Sequence, residues 1–248
     1  MVDDAERSQP LVRFPTTHWS MIEAVRGTMS PEQREVLNVL IGRYWKPVYA
    51  YIVRRGFRDS AADLAQDFFV HSLQRELFRR ADQARGRFRT FLLACLNNFL
   101  ADAGRRQRAN MPVEGIVSIE QLASDRRAEF EPVEDETPEA AFYRAWVREL
   151  LLRVWQMLAG EFAASGQTVH AEIFRQRILT PILDGEDPPA MAELARQFGL
   201  AEKQACNCLV TARRAFQRLL REEIAVYASS DEEIAAEIKD LFRFAAEG

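Results

Sequence analysis

The sequence has only three cysteines among its 248 residues, Cys95, Cys206 and Cys208. This number is too small for a disulfide framework, and an odd count favours a reducing environment. On a helix, side chains two positions apart point about 200° apart, so Cys206 and Cys208 cannot bind one metal ion. The histidines are scattered along the chain and complete no metal site. The sequence therefore predicts no metal and no other cofactor.

Long apolar runs are also absent. No segment approaches the roughly 20 apolar residues that a membrane-spanning helix needs, and the first residues, MVDDAERSQP, are not typical of a signal peptide. We therefore expect a cytoplasmic protein. No convincing period-two alternation indicates a strand, and no internal repeat stands out. The sequence predicts an all-α fold.

The motifs of the common enzyme classes are missing as well. The chain has no phosphate-binding glycine loop, no nucleophile elbow and no HExxH helix. Its many carboxylates are concentrated in an acidic segment, where they do not form a poised acid–base pair. We therefore expect that the protein is not an enzyme.

Charge is distributed unevenly along the chain. The formal net charge is -4, made up of +6 over residues 1–108, -8 over residues 109–190 and -2 over residues 191–248. A positive first part, a strongly negative middle and a mixed end indicate separate modules with different partners.

Helix start and stop signals divide the chain into two helical domains joined by a linker rich in proline and acidic residues. The C-terminal helix begins with a capping-box pattern and has one apolar face. The predicted segments are 1–28 (N-terminal arm and first helix), 29–110 (first domain, with helices at about 31–55, 59–80 and 87–108), 111–138 (acidic linker), 139–225 (second domain, with helices at about 139–164 and 167–183 and a final helix pair) and 226–248 (C-terminal amphipathic helix).

Residues 87–108, RFRTFLLACLNNFLADAGRRQR, combine an apolar helix face with a polar end that is rich in arginine. Asn97 and Asn98 begin a polar face that leads into the arginines. Arginine can anchor phosphates, and asparagine can hydrogen-bond a base edge that is free of its partner. A solvated helix end, with arginines close to the C-terminal dipole, explains the pattern equally well. The apolar face is predicted to consist of Phe88, Phe91, Leu92, Cys95, Leu96, Phe99 and Leu100.

Four segments, taken together, resemble the sigma-70 family of bacterial RNA polymerase sigma factors, specifically the extracytoplasmic-function (ECF) type. FPTTHWS at 14–20 is similar to a divergent subgroup of that type. The order and spacing of the four segments make the resemblance specific. They are RYWKPVYAY at 43–51, Asp-Leu-x-Gln-Asp-x-Phe at 63–69, Phe-Arg-Thr-Phe-Leu at 88–92, and Asn-Asn-x-x-x-Asp at 97–102 followed by Arg105-Arg106.

The resemblance implies that the first domain is a sigma region-two-like helical bundle. In the family this domain grips the largest polymerase subunit, opens the promoter and captures unstacked bases. Flipping out a base costs a few kcal/mol of free energy, and contacts to phosphates and to the flipped base in a pocket must offset this cost. The implied polymerase-binding residues are Asp63, Leu64, Gln66, Asp67 and Phe68, of which Leu64 and Phe68 also suit a core face. The implied DNA-binding residues are Arg87, Arg89, Asn97, Asn98, Asp102, Arg105, Arg106 and Arg108.

Residues 191–221 have the pattern of a helix-turn-helix. Ala195 and Gly199 lie four positions apart, where a small residue lets the second helix approach and a glycine makes the turn. This segment resembles the sigma region-four domain, which reads the minus-35-type element. The predicted small core consists of Leu194, Phe198, Leu200 and Leu209. The DNA contacts implied by the resemblance are Lys203, Gln204, Asn207, Arg213 and Arg214.

The recognition helix departs from the family pattern at its start. Ala201 stands where the family usually has a capping Ser or Thr, and losing that cap costs about 1 kcal/mol of helix stability.

From the matching segments taken together we expect an ECF-type sigma factor that binds core RNA polymerase and directs promoter recognition, DNA opening and initiation. The alternative is a sigma-like adaptor that binds polymerase or another partner without reading promoters. The C-terminal helix either docks on the second domain or regulates, and an anti-sigma or other regulatory protein is a further candidate partner.

Overall fold

The computed structural model contains helices and no strand in the residues that it describes, so the predicted all-α fold is confirmed. The predicted N-terminal arm and first helix lie outside this part of the chain, and so does most of the acidic linker. The described residues are 31–75, 77–80, 87–106, 136–225 and 231–246.

Most helix bounds agree with the predicted ones to within a few residues. The helix predicted to reach residue 80 is shorter, because a 3₁₀ turn at Leu77–Arg80 follows it. The helix predicted at 167–183 is three pieces, since the π-helical turn Arg175–Leu179 interrupts it. In chain order the α-helices are α1 (Pro31–Arg54), α2 (Ala61–Gln74), α3 (Phe88–Arg106), α4 (Pro138–Ala164), α5 (Thr168–Phe174), α6 (Thr180–Asp184), α7 (Met191–Gln197), α8 (Glu202–Ala225) and α9 (Asp231–Ala246).

Helix α4 lies at the centre of the fold, in contact with α1, α5, α8 and α9. It starts at a regular N-cap, where the Thr137 hydroxyl accepts a hydrogen bond from the Ala140 N–H at 3.2 Å and Pro138 occupies the first turn. Large apolar side chains then recur at every fourth position, so one stripe of the helix is buried. That stripe consists of Phe142, Trp146, Leu150, Val154 and Leu158.

The packing of α1 against α4 joins the two predicted domains into one hydrophobic core. Ala50 of α1 packs with Ala141 and Ala145 of α4, and their small side chains let the two helices come close. Around them, buried side chains from α1, α2, α3, α4 and α8 belong to one continuous apolar cluster. The division of the chain into two domains stays a prediction, because this shared core runs through both of them.

Charged groups at the edge of this core also link the two halves of the chain. The Glu223 carboxylate on α8 lies 3.1 Å from Arg43 of α1 and 3.4 Å from Arg153 of α4. Lys46 of α1 pairs with Glu149 of α4 at 2.9 Å. Since these side chains are mostly buried, each charge needs its partner, and the pairs fix how the helices sit against one another.

Replacing Phe142 by Ala tests whether the chain unfolds as one unit. The Phe142 side chain is fully buried and its ring stacks on Tyr44 of α1 at 6.5 Å. We expect Phe142→Ala to lower the free energy of unfolding by about 3–5 kcal/mol, because it removes a buried ring and leaves a cavity. Urea unfolding followed by tryptophan fluorescence and by circular dichroism should give one transition shifted to lower urea.

The matched control is Met157→Ala on the same helix, where the side chain is 40% exposed. This change should alter the free energy of unfolding by only about 0.5 kcal/mol. A Phe142→Ala protein that unfolds in two steps, with the first step confined to the second half, would mean that the shared core does not couple the halves.

Candidate functional site

The predicted helix-turn-helix is present in the structure. Helix α7 ends in a turn at Gly199, whose backbone is left-handed with φ of 66°, and α8 follows. Ala195 and Ala205 are buried between the two helices, together with Leu194. Ile173 of α5 closes the small core from the third side. The predicted core residues Leu194, Phe198, Leu200 and Leu209 all belong to this cluster, so that prediction is confirmed.

Both helices of this unit begin without a capping hydroxyl, and both use the third helical residue instead. The Ala201 N–H donates to the Gln204 side-chain carbonyl at 2.9 Å, and the Ala190 N–H donates to the Glu193 carboxylate at 3.1 Å. This is the reciprocal half of a capping box, and it satisfies one of the unpaired donors at each helix start. Gln204, which the resemblance assigns to DNA, therefore also supports the helix that carries it.

The outward face of α8 is polar, with one apolar side chain among the polar ones. All five predicted contacts, Lys203, Gln204, Asn207, Arg213 and Arg214, are exposed. Helical spacing puts Lys203, Asn207 and Arg214 on one stripe, with Val210 between them. Val210 is 48% exposed, so this stripe offers two cations, an amide and a small apolar surface.

Substitution at Gly199 tests the turn. A Cβ at this position would meet no atom within 4 Å, so the only obstacle to a side chain is the positive φ. We expect Gly199→Ala to lower the free energy of unfolding by about 1–2 kcal/mol, and Gly199→Asn by less, because Asn tolerates the left-handed region.

Gly160 is the matched control, since it lies inside α4 with equally open space and no positive φ. Gly160→Ala should stabilise the protein by up to about 1 kcal/mol, because Ala is the better helix former. Thermal unfolding of the three variants checks the order. Equal effects of Ala at both positions would argue against the strained turn.

The predicted polymerase-binding surface on α2 is acidic. Asp63 and Asp67 are exposed one helical turn apart, and Gln66 is half-buried beside them. Partial burial, followed by the neighbouring Asp63 carboxylate, raises the pKa of Asp67. Two like charges at this spacing cost the helix a few tenths of a kcal/mol, so folding alone does not favour the pair.

Leu64 and Phe68 were also assigned to the polymerase, and the structure buries both side chains. Leu64 is 7% exposed and Phe68 is fully buried, with its ring 5.6 Å from that of Phe99. Both side chains lie on the inward face of α2, about 100° around the helix from Asp63 and Asp67. They hold the helix in place, and the aspartates and Gln66 remain as the surface that a partner can reach.

The predicted DNA-binding residues of α3 have different environments. Asn98 and Asp102 are exposed, as a contact with DNA requires. The side chains of Arg105 and Arg106, and the whole of Arg108, lie outside the described part of the chain.

Asn97 is exposed at its edge but is held by a side chain from α1. The Tyr51 hydroxyl lies 2.8 Å from the Asn97 amide oxygen and 3.2 Å from the Glu139 carboxylate on α4. The Tyr51 hydroxyl has one hydrogen, so it can donate to only one of these two acceptors. All three groups are satisfied when Tyr51 donates to Glu139 and the Asn97 side-chain amide is flipped by 180°, so that its NH₂ donates to the Tyr51 oxygen. Burial, followed by the Glu139 charge, raises the pKa of Tyr51, which keeps the hydroxyl neutral.

Arg89 was expected to face DNA, and the structure instead buries it. Only 5% of its side chain is exposed, and its guanidinium contacts both oxygens of Glu237 on α9, at 2.9 and 2.7 Å. The guanidinium also lies over the ring of Trp146 at 4.6 Å. Arg87, which is 42% exposed, pairs with the same carboxylate at 2.7 Å. A bidentate ion pair and a cation–π contact together explain why a charged residue is stable at this buried position.

Sequence reasoning missed Tyr51, Glu139, Trp146 and Glu237 as parts of this site. Tyr51 lies 46 positions from Asn97, and Glu237 lies 148 positions from Arg89. No local pattern links residues so far apart. The one available signal was Glu237 itself, which lies between Ile234 and Ile238 beside the apolar face of the C-terminal helix. An acidic residue at such a position indicates a buried basic partner.

Tyr44 lies beneath this cluster and gives the protein a distinctive response to alkaline pH. Burial raises the pKa of Tyr44 to about 12 from 10.0, against the lowering effect of Arg89, Arg43 and Arg153. In the unfolded chain the hydroxyl ionises near pH 10, whereas in the folded protein it stays neutral to about pH 12. The stabilisation from this group is therefore complete below pH 10 and is lost as the pH rises towards 12.

Tyr44→Phe should remove this dependence. Between pH 10 and about 12 we expect the wild-type protein to lose up to about 3 kcal/mol of unfolding free energy relative to the variant, since one pKa unit corresponds to about 1.4 kcal/mol. Urea unfolding at a series of pH values measures the difference. Parallel curves for the two proteins would contradict the raised pKa.

Neither metal ligands nor a membrane helix is found in the described residues. No group of three or more His, Cys, Asp or Glu side chains could hold a metal ion there, and no helix there has the length and apolarity to cross a membrane. Cys206 and Cys208 are both half-buried. Burial raises the pKa of the Cys208 thiol, so this thiol is a poorer nucleophile than a free one.

The described residues thus form an all-helical protein with a helix-turn-helix, an exposed acidic pair on α2, and two arginines at the start of α3, Arg87 and Arg89, bound by a carboxylate of α9. Comparison with known proteins found no matching family, no similar curated protein and no similar solved structure.

Proposed function

We propose that the protein is an ECF-type sigma factor. It binds core RNA polymerase through the acidic surface of α2, recognises and opens promoter DNA through α3, and reads an upstream element through α8. It works in the cytoplasm, without a cofactor and without catalysing a covalent reaction. An anti-sigma or other regulatory protein is a further candidate partner.

One observation carries the proposal. On α8, every side chain that the resemblance assigns to DNA is exposed, while the opposite face of the same helix packs into the core of the helix-turn-helix. A helix held in this way can enter a major groove with its cations and amides towards phosphates and base edges. The exposed Asn98 and Asp102 on α3 support a second contact in the opened region of the promoter.

Run-off transcription is the direct test. Core polymerase from the same source would be combined with the protein and a pool of genomic promoter fragments. We expect discrete start sites that weaken at least about ten-fold in Asn98→Ala/Arg105→Ala, because that variant loses one base contact and one phosphate contact. Asn98 is preferred to Asn97, since Asn97 also bonds Tyr51 within the fold.

The adaptor is the second candidate, and the start of α8 favours it. Ala201 replaces the usual capping hydroxyl, and the apolar Val210 interrupts the polar stripe where a phosphate anchor would be useful. An adaptor would co-purify with polymerase and yet give no start-site-specific RNA. This result would overturn the proposal and support the adaptor.

Neutralising the acidic pair separates partner binding from folding. We expect Asp63→Asn/Asp67→Asn to weaken capture of core polymerase at least about ten-fold, because two charges that face the partner are lost. The same variant should be more stable by a few tenths of a kcal/mol, because the like-charge pair is removed.

The matched control is Glu186→Gln/Asp187→Asn, which removes two exposed charges from the turn between α6 and α7. Its capture by immobilised core polymerase should equal that of the wild type. Equal capture of all three proteins would exclude α2 as the polymerase-binding surface.

A further inference from the structure

The Glu237 carboxylate is buried between two arginines. Glu237 is 3% exposed, although it lies on the C-terminal helix α9. Its two oxygens are held by Arg87 and by both terminal nitrogens of Arg89, all within 2.9 Å. Carboxylates and phosphates are recognised by the same bidentate arginine geometry. Glu237 therefore occupies an anion site built by two arginines at the start of α3.

This site belongs to the surface that the proposed function assigns to DNA. Arg89 lies in the first turn of α3, which also carries Asn98 and Asp102, and Arg87 directly precedes this helix. Trp146 lies under the Arg89 guanidinium, 4.6 Å from its central carbon, and the ring restricts how the guanidinium can turn. A phosphate that replaced Glu237 would find the two arginines already in position.

Among the side chains of α9 that the structure describes, few are buried and apolar. Among its described side chains Leu241 is the one buried apolar residue, while Ile234 and Ile238 are half-buried. Helix α4, by contrast, buries ten residues. When α9 leaves, the Glu237 carboxylate returns to water and the arginines gain either water or a new anion, so the desolvation that offsets a buried ion pair is recovered. Elements with few buried apolar contacts are those that open first.

We infer that Glu237 is an internal competitor of DNA, and that α9 inhibits the protein by occupying the phosphate site of Arg87 and Arg89. The inference rests on the proposed function. Binding of DNA at this site and closure of α9 exclude one another, so each lowers the apparent affinity of the other by the same factor. If α9 is open in about a tenth of the molecules, the apparent affinity for DNA is about ten-fold weaker than that of a protein in which α9 is always open.

The first test compares the full-length protein with Glu237→Gln, which keeps the size and one carbonyl oxygen of the side chain. The probe is a short fluorescent DNA duplex with a non-complementary centre, titrated at several salt concentrations. We expect Glu237→Gln to bind about ten-fold more tightly at low salt. The slope of log affinity against log salt should steepen by up to about 2, since two more arginines contact phosphate.

The control is Glu186→Gln, which makes the same change in net charge at an exposed position between α6 and α7. It should leave the slope unchanged. The double variant Arg87→Gln/Glu237→Gln should lose about 1 of the slope that Glu237→Gln gained, because one arginine no longer contacts phosphate. Circular dichroism confirms that each variant is folded.

A second measurement needs no variant. Hydrogen exchange of the wild-type protein would be recorded with and without the DNA probe. We expect the amides of α9 to exchange faster when DNA is bound, because DNA displaces the helix, while those of α4 stay unchanged. This result supports the inference even if Glu237→Gln does not fold.

Three results would overturn the inference. The wild type and Glu237→Gln could bind the probe with the same affinity and slope, in which case the proposed function stands and α9 is a structural helix. DNA could slow exchange in α9, in which case the helix forms part of the DNA-binding surface. If neither protein binds the probe, alone or with core polymerase, the proposed function fails and the inference fails with it.

Discussion

The packing of α1 against α4 is the interaction on which the rest of the structure depends. Ala50, Ala141 and Ala145 keep the two helices close, and large side chains such as Phe142 fill the space beside them. Helices α2 and α3 then pack onto α1, while α5, α8 and α9 pack onto α4. A protein with the sequence of two separate modules thereby acquires one core, and the relative position of every predicted site follows from this interface.

Burial at that interface also explains the polar links between the two halves. A charge taken out of water is stable only when a partner replaces the lost hydration. Glu223 therefore lies between Arg43 and Arg153, and Glu237 binds Arg87 and Arg89 at the start of α3. The same physical requirement holds the Glu237 carboxylate of α9 at the start of α3.

The helix-turn-helix shows how far a local pattern can be interpreted. Its core, its turn at Gly199 and the exposure of its polar face all follow from residues within about thirty positions of one another, and all agree with the structure. Leu64 and Phe68 were grouped with the exposed residues of α2 but are buried, because motif matching does not separate a surface residue from the core residue beside it. Helical periodicity already put both on the inward face of α2.

The sequence by itself determined the all-α class, most helix bounds and the helix-turn-helix, because helix signals and apolar periodicity act over a few residues. Tertiary structure alone decided that Arg89 is buried, that Asn97 bonds Tyr51 and that Glu237 of α9 binds Arg87 and Arg89 at the start of α3. Those contacts join positions far apart in the chain. They depend on which faces remain open after the helices have packed, which no local pattern encodes.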